Sequence, residues 1–250
     1  MDILIVGYGV VGANVKQKLD KAHNVDVVDK YKPDLTTYDP SKTYDFAYIC
    51  VDTPSNKTSI CDINEVLHAV VDNKAKYYVI KSTILPGTTD YIAKCTKKDV
   101  VFSPEFYGGT QHCNNFDFDF TILGGAKEDC IEVQQMLQEV FDARHKFRIT
   151  DAATAELAKY MENAYLAAKV TFCNEFFRIA QHYNVDYEDL RELVTLDPRI
   201  DPSHTFVYRR HPWYDSHCLN KDVAAIAEDS KSEFLKSIVE QNKKYKAERT

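Results

Sequence analysis

The first half of the chain alternates between short apolar segments and stretches whose apolar residues recur at helical spacing. All eight glycines lie in this half, where they mark turns between the segments. Strands that alternate with helices are typical of a doubly wound parallel sheet. The pattern predicts strands near 2–6, 24–28, 46–51, 77–82, 99–103, 119–124 and 146–149, and helices near 10–20, 62–73, 88–96 and 127–141.

The pattern changes after residue 150. Residues 152–183 contain neither glycine nor proline, and they predict a single long helix that Asp151 can cap. Further helices are predicted near 186–195, 219–229 and 231–247. We therefore predict an α/β protein with a Rossmann-like domain over 1–150. A long connecting helix and a small all-helical second domain follow over 151–250.

Composition and charge narrow the class of protein. The formal net charge of −7 argues against nucleic acid or an anionic membrane as a partner, because both favour a basic surface. No apolar run reaches the roughly 18 residues of a transmembrane helix, and Asp2 does not suit a signal peptide. The seven cysteines include no CxxC pair, and His112 beside Cys113 offers only two ligands. We expect a cytoplasmic protein without a metal site.

A glycine-rich turn follows the first predicted strand and precedes the first predicted helix. Gly7, Gly9 and Gly12 form the G-x-G-x-x-G pattern that places backbone N–H groups against a pyrophosphate. Asp29 ends the next strand, where its carboxylate would bind ribose hydroxyls and repel a 2′-phosphate. NAD is therefore favoured over NADP, although Lys30 follows at once. The alternative is a glycine-bearing turn that binds no ligand.

Several short motifs share an order along the chain that is typical of one family. They are residues 7–12, Val51-Asp52-Thr53-Pro54, residues 81–88, Ser103-Pro104-Glu105-Phe106, residues 155–159 with Asn163 and Asn174-Glu175, Asp197-Pro198-Arg199-Ile200, and Cys218-Leu219-Asn220-Lys221-Asp222. With these motifs the chain resembles the UDP-glucose/GDP-mannose 6-dehydrogenases across essentially its whole length. The resemblance implies oxidation of the C6 alcohol of a nucleotide sugar to a carboxylate, with two NAD consumed.

The resemblance also implies how the covalent step is carried out. Cys218 would be the nucleophile that holds the aldehyde as a thiohemiacetal and then as a thioester, and Lys221 would favour its thiolate. Lys159 and Asn163 lie at positions i and i+4 of the long helix and face the same side. There they would stabilise the alkoxide and the tetrahedral oxyanion.

Further roles are implied for residues around the thiol and the cofactor. Asp222 and Thr83 would position water, and Glu105 would be the acid–base residue of thioester hydrolysis. Arg199 would reach the substrate of the partner subunit in a homodimer formed through residues 152–183. The implied cofactor contacts are Gly7, Gly9, Val10, Val11, Gly12, Asp29, Lys30, Thr53 and Thr83. The implied substrate contacts are Glu105, Phe106, Lys159, Asn163, Arg199 and Lys221.

Three features depart from the pattern of this family. The chain stops soon after the Cys218 helix, without the third, nucleotide-binding-like domain, so we expect that a partner protein could supply the missing lid. Trp213-Tyr214-Asp215-Ser216 replaces a Gly-Phe-Gly-Gly loop, which would reshape or fill the space for the sugar. Gly109 stands where the family has a second glutamate, and Asp201 where it has a glycine.

Two other functions stay open at this point. One is an NAD-binding protein of the same fold with weak or no catalysis. The other is a one-step dehydrogenase of the 3-hydroxyacid type. Retention of Cys218, Lys221 and Asp222 together favours the four-electron reaction, because a one-step oxidation needs no thiol. Separately from the function, Lys159 and Asn163 could form a solvated helix face, with Glu156 pairing to Lys159.

Overall fold

The computed structural model describes residues 1–54, 61–106 and 118–248. The chain divides into two compact units. Unit 1 comprises Met1–Pro54 and Cys61–Lys159, and the described part of unit 2 runs from residue 160 to 248. The sequence-based domain boundary at 150 and 151 falls directly before the long helix, which begins at Ala152.

Unit 1 is built on a seven-stranded sheet of order β2-β1-β3-β4-β5-β6-β7. The strands are β1 Asp2–Val6, β2 Asn24–Val28, β3 Tyr44–Ile49, β4 Ala75–Ile80, β5 Asp99–Phe102, β6 Phe120–Gly124 and β7 Lys146–Thr150. The helices are α1 Val10–Leu19, α2 Asn64–Asp72, α3 Thr88–Thr96 and α4 Lys127–Gln138, with a 3₁₀ turn at Pro33–Leu35. These elements confirm the predicted Rossmann-like α/β fold.

One strand pairing in the otherwise parallel, doubly wound sheet is antiparallel. β5 and β6 pair antiparallel through Phe102 and Gly124, whereas all the other neighbouring strands run parallel. A parallel pairing requires a crossover, usually a helix, and the sequence predicts no helix between 103 and 119. The lack of a predicted helix between β5 and β6 was therefore the sequence signal for their antiparallel pairing.

Helices cover both faces of the sheet, as expected for a doubly wound sheet. Alternate residues of β1 point to opposite faces, so that Leu4 packs with α2 and α3 while Ile5 packs with α1 and α4. Because β1 to β5 all run parallel, their carboxyl ends lie at the same edge of the sheet. This edge is where ligands bind in folds of this kind.

Unit 2 is helical. The long helix α5 is Ala152–His182, of which residues 160–182 belong to unit 2, and it is followed by α6 Tyr187–Val194, α7 His217–Ser230 and α8 Glu233–Ala247. Ala167 of α5 packs against Val223 of α7 and Ile238 of α8. Outside these helices, the described part of the unit contains one isolated bridge, between Tyr208 and His211. The prediction of an all-helical second domain is confirmed.

The start of α7 lies earlier than the sequence pattern predicted. The helix begins at His217 instead of residue 219, because the Ser216 hydroxyl accepts a 3.0 Å hydrogen bond from the Leu219 N–H. This cap satisfies a backbone donor that the first helical turn leaves open. As a result Cys218 lies inside the helix, in its first turn.

Candidate active site

The glycine-rich turn has the geometry of a phosphate-binding turn. Gly7 adopts a φ of +90°, and a Cβ there would lie 2.8 Å from the Cys50 carbonyl oxygen. A Cβ at Gly12 would lie 2.0 Å from the Gly7 carbonyl oxygen, so the chain itself requires these two glycines. At Gly9 no atom of the described residues lies within 4 Å of such a Cβ. Gly9 therefore faces open space, as the approach of a ligand phosphate requires.

Asp29 is connected directly to this turn. Its Oδ2 accepts a 2.6 Å hydrogen bond from the Tyr8 N–H, and its Oδ1 accepts one of 2.8 Å from the Tyr31 N–H. Burial raises the pKa of the Asp29 carboxyl, but these two donors and the Lys32 ammonium outweigh it and leave the pKa below its ordinary value. Lys30 Nζ lies 2.5 Å from Glu65 Oε2. Asp29 thus remains an anionic acceptor, and Lys30 is held by a carboxylate.

The remaining predicted cofactor contacts of unit 1 lie near the same sheet edge. Thr53 is buried, and its hydroxyl donates a 2.9 Å hydrogen bond to the Thr83 carbonyl oxygen. This bond joins the segment after β3 to the segment after β4. Val10 is exposed at the start of α1, and Val11 packs against the core beneath it. The structure thus brings the predicted residues of unit 1 to one edge, and their contacts with NAD stay a prediction.

Glu105 lies in a largely buried polar group beside that edge. Lys81 Nζ is 3.5 Å from Glu105 Oε2 and donates a 3.2 Å hydrogen bond to the Pro104 carbonyl oxygen. Phe106 follows, and Lys159 Nζ lies 4.9 Å from the centre of its ring. Lys81 was not among the site residues predicted from the sequence, although it begins the family-like motif at 81–88.

Glu156 has a different role from the one considered in the sequence. Its buried carboxylate accepts hydrogen bonds from the Gly87 N–H at 2.6 Å, the Thr89 N–H at 2.8 Å and the Thr89 hydroxyl at 2.6 Å. Burial raises the pKa of Glu156 above its ordinary value, although these donors act against the shift. Lys159 and Asn163 are also buried. The alternative of a solvated helix face with a Glu156–Lys159 pair is therefore wrong.

Three of the predicted residues of unit 2 contact one another, and two of them lie on α7, the helix that carries Cys218. Asn163 Nδ2 donates a 2.7 Å hydrogen bond to Asp222 Oδ2, and Lys221 Nζ lies 2.9 Å from Asp222 Oδ1. Asn163 and Asp222 are both buried. Cys218 is exposed in the first turn of α7. The helix therefore presents the thiol at its N-terminal end and carries a buried carboxylate one turn later.

Arg199 does not belong to this chain of contacts. Its side chain is 87% exposed and pairs with Asp197, with Nη2 at 2.6 Å from Oδ2. The predicted contact with a partner's substrate stays a prediction.

No group of three or more side chains suited to a metal ion occurs within the described ranges. His112, Cys113 and Gly109 lie outside them. No helix of the described residues is long and apolar enough to cross a membrane.

Two domains of one family match this chain. Residues 34–144 match the NAD-binding domain of the UDP-glucose/GDP-mannose dehydrogenase family, and residues 153–244 match its central domain. The chain is 30% identical to a UDP-glucose 6-dehydrogenase of Rickettsia prowazekii, over 81% of this chain and 50% of that protein. It is 27% identical to a UDP-N-acetyl-D-mannosamine dehydrogenase of Methanocaldococcus jannaschii, over 93% of this chain and 59% of that protein.

A solved structure shows the same fold. The UDP-glucose dehydrogenase of Pyrobaculum islandicum superposes with a TM-score of 0.83 at 22% identity, over 97% of this chain and 68% of that one. The chain spans about half the length of the curated relatives named above. It belongs to the UDP-glucose/GDP-mannose dehydrogenase family, of which it carries the NAD-binding and central domains.

Proposed function

We propose that the chain catalyses the NAD-dependent oxidation of the C6 alcohol of a nucleotide sugar to a carboxylate, through a covalent intermediate on Cys218. The observation that carries the proposal is the exposed Cys218 thiol at the start of α7, one turn before the buried Asp222 that binds Asn163 and Lys221. A reaction with a single oxidation step needs no nucleophilic thiol. This arrangement therefore favours the two-step oxidation.

The residues of the glycine-rich turn fit the cofactor of this family. The open space at Gly9 suits a pyrophosphate, and the anionic Asp29 suits two ribose hydroxyls. NAD, when bound, accepts a hydride from the substrate carbon in each of the two oxidations. Asp29 would repel the additional phosphate of NADP.

The side chains of α5 act on the oxygen of the substrate in this proposal. Lys159 and Asn163 lie one turn apart on the helix, and both are buried. Donors held in a site of low dielectric stabilise a developing oxyanion more strongly than donors in water. We assign to this pair the stabilisation of the alkoxide and of the tetrahedral intermediates.

Cys218 carries the second half of the reaction. Its sulfur bonds to the aldehyde carbon, and the aldehyde oxygen takes a proton to complete a thiohemiacetal. After the second oxidation, the carbon is held as a thioester. Water then attacks the thioester carbon, the C–S bond breaks, and the carboxylate and the thiol are released. Glu105 accepts the proton of this water, which Asp222 and Thr83 position.

The substrate class follows from what the relatives share. The two relatives are named for UDP-glucose and UDP-N-acetyl-D-mannosamine, and the family name adds GDP-mannose, so a sugar linked to a nucleoside diphosphate is common to all three. We propose a substrate of this class that resembles UDP-glucose, in which Phe106, Arg199 and Lys221 contact the nucleotide sugar with the residues named above.

We also propose a homodimer through α5. Met161, Tyr165, Phe172 and Tyr183 recur at helical spacing, and each is at least 61% exposed. An exposed apolar stripe along one face of a helix is typical of a protein–protein interface. A second copy of the same helix would cover it.

The function is tested by counting NADH against sugar consumed, using the full chain and a panel of UDP- and GDP-sugars. Two NADH per sugar, together with a carboxylate product, is the expected result. One NADH per sugar would instead support the one-step dehydrogenase. No NADH from any sugar, with NAD binding retained, would support the NAD-binding protein without catalysis.

A further inference from the structure

Helix α8 holds the segment that precedes α7, the helix that carries Cys218. We call residues 213–216 the pre-thiol segment. The Tyr214 N–H donates a 2.9 Å hydrogen bond to Asn242 Oδ1, and Asn242 Nδ2 donates one of 3.0 Å to the Tyr214 carbonyl oxygen. Both residues are buried. A single side chain thus satisfies both backbone groups of Tyr214, as a neighbouring strand would.

The next two residues of the pre-thiol segment are also fixed. Asp215 Oδ1 accepts a 3.0 Å hydrogen bond from Asn220 Nδ2 of α7 and lies 3.2 Å from Lys246 Nζ of α8. Ser216 caps α7 through the Leu219 N–H. Residues 214–216 are thus held by backbone and side-chain contacts, and they directly precede the helical turn that contains Cys218.

The Tyr214 side chain supports the same arrangement. It packs in the core of unit 2 with Leu219 and Val223 of α7 and with Ile238 of α8. From the sequence we expected that aromatic residues here would reshape or fill the space for the sugar. The Tyr214 ring instead joins the core that holds α7 against α8.

We infer that Asn242 is a positioning residue for Cys218: by holding Tyr214, it fixes the entry of the chain into the first turn of α7. Without the amide of Asn242, a buried N–H and a buried C=O of Tyr214 lose their partners, and the segment must rearrange to reach others. The cap at Ser216 and the backbone N–H groups around the thiol would then lose their fixed geometry. Lys246 supports the same segment more weakly, because its ion pair with Asp215 is exposed.

The inference rests on the proposed function only for its effect on catalysis, because thiol geometry can be measured without turnover. The experiment follows alkylation of Cys218 by iodoacetamide in the full chain, with the exposed Cys95 of unit 1 as the internal reference. The variants are Asn242→Ala and Lys246→Met. The control is Lys243→Ala, which removes an exposed lysine from the same helix α8.

Asn242→Ala should lower the ratio of Cys218 to Cys95 alkylation rates at least about threefold, since ordered helix N-termini favour a reactive thiolate. Lys246→Met should lower it by a smaller factor, and Lys243→Ala should leave it unchanged. Where turnover is measurable, Asn242→Ala should lower kcat and leave the KM for NAD unchanged. A folded Asn242→Ala variant with the ratio of the unmodified protein would overturn the inference.

If Asn242→Ala does not fold, Lys246→Met decides the question, and an unchanged ratio in that variant overturns the inference. Absence of NADH from every nucleotide sugar would count against the proposed function alone. The alkylation ratios would still decide whether Asn242 positions the thiol.

Discussion

Lys81 and Glu105 form an ion pair beside the carboxyl ends of β4 and β5, with Lys81 Nζ at 3.5 Å from Glu105 Oε2. The two side chains are only 10% and 14% exposed. Coulomb attraction between such partly buried groups is stronger than between groups in water. The pair thus places an ammonium beside the Glu105 carboxylate, the group that would accept a proton from water in the proposed hydrolysis.

Substitution of Lys81 tests whether this pair serves thioester hydrolysis. Lys81→Met keeps the length of the side chain and removes its charge, so acid formation should slow at least about tenfold. Lys81→Arg keeps the charge and should restore part of the rate. Quenched-flow measurement of aldehyde, thioester and acid would follow each step. Acid formation at the unmodified rate in a folded Lys81→Met variant would contradict the role of the pair.

Asp29 should determine the preference for NAD over NADP. Asp29→Ala removes the carboxylate that would bind the ribose hydroxyls and repel a 2′-phosphate, so the gap between the two affinities should narrow. Asp29→Asn keeps a hydrogen-bond acceptor but loses the charge, and it should relieve the repulsion with a smaller loss of NAD affinity. Calorimetry measures both affinities, with the exposed Asp34→Ala as the control. Equal NAD and NADP affinities in the unmodified protein would contradict the assignment.

Glu156 should contribute strongly to the stability of unit 1. Glu156→Ala leaves the Gly87 N–H, the Thr89 N–H and the Thr89 hydroxyl without their acceptor. The free energy of unfolding should fall by about 3 kcal/mol, since each of the three hydrogen bonds contributes about 1 kcal/mol. Glu132→Ala, which removes an exposed glutamate from α4, should change it by less than about 0.5 kcal/mol. Chemical denaturation measures both values.

The same glutamate predicts a pH dependence of stability. The pKa of Glu156 is raised above its ordinary value of 4.5 by burial, so the folded state binds the proton more tightly than the unfolded state. Its contribution to stability is therefore largest below 4.5 and falls as pH rises through the raised pKa. The stability difference between the unmodified protein and Glu156→Ala should thus decrease between acidic and neutral pH. An increase over that interval would contradict the direction of the shift.

The sequence predicted the elements of the fold well, because their apolar periodicity is local. It predicted the NAD turn for the same reason, since Gly7, Gly9 and Gly12 lie within one short segment. It did not predict the partners of Glu156 or Asn242. Gly87 and Tyr214 are distant from them along the chain, and no spacing rule relates a side chain to a backbone group so far away.

The contacts of Arg199 and the compartment of the protein depend on surfaces and molecules outside this chain. The local pattern of a sequence reports what a segment buries within its own fold. It does not report which other molecule approaches an exposed side chain such as Arg199.

The apolar stripe on α5 predicts self-association. Replacement of Met161 and Tyr165 by glutamate in one variant would place charges on the proposed two-fold interface, where they would be desolvated close to their copies. Sedimentation should show a dimer for the unmodified protein at micromolar concentration and a monomer for the variant. Phe234→Glu, which changes an exposed aromatic residue of α8, should leave the dimer intact. A monomeric unmodified protein would contradict the interface.

The positions of four cysteines predict an order of thiol reactivity among them. Cys218 lies in the first turn of α7, where the helix N-terminus favours an anion, whereas the exposed Cys95 lies in the last turn of α3. Burial raises the pKa of the Cys130 thiol to about 12 and also raises that of Cys173. Iodoacetamide should therefore label Cys218 before Cys95, and Cys130 and Cys173 last.

Cys218→Ser connects this reactivity to the reaction. The variant should bind NAD as the unmodified protein does, because the glycine-rich turn belongs to unit 1. It should form no acid, since a serine hydroxyl is a far weaker nucleophile than a thiolate. A slow first oxidation to the aldehyde should remain, because that step needs no thiol, and saturating nucleotide sugar should protect Cys218 from labelling in the unmodified protein. Acid formation by Cys218→Ser at the unmodified rate would rule out the covalent intermediate.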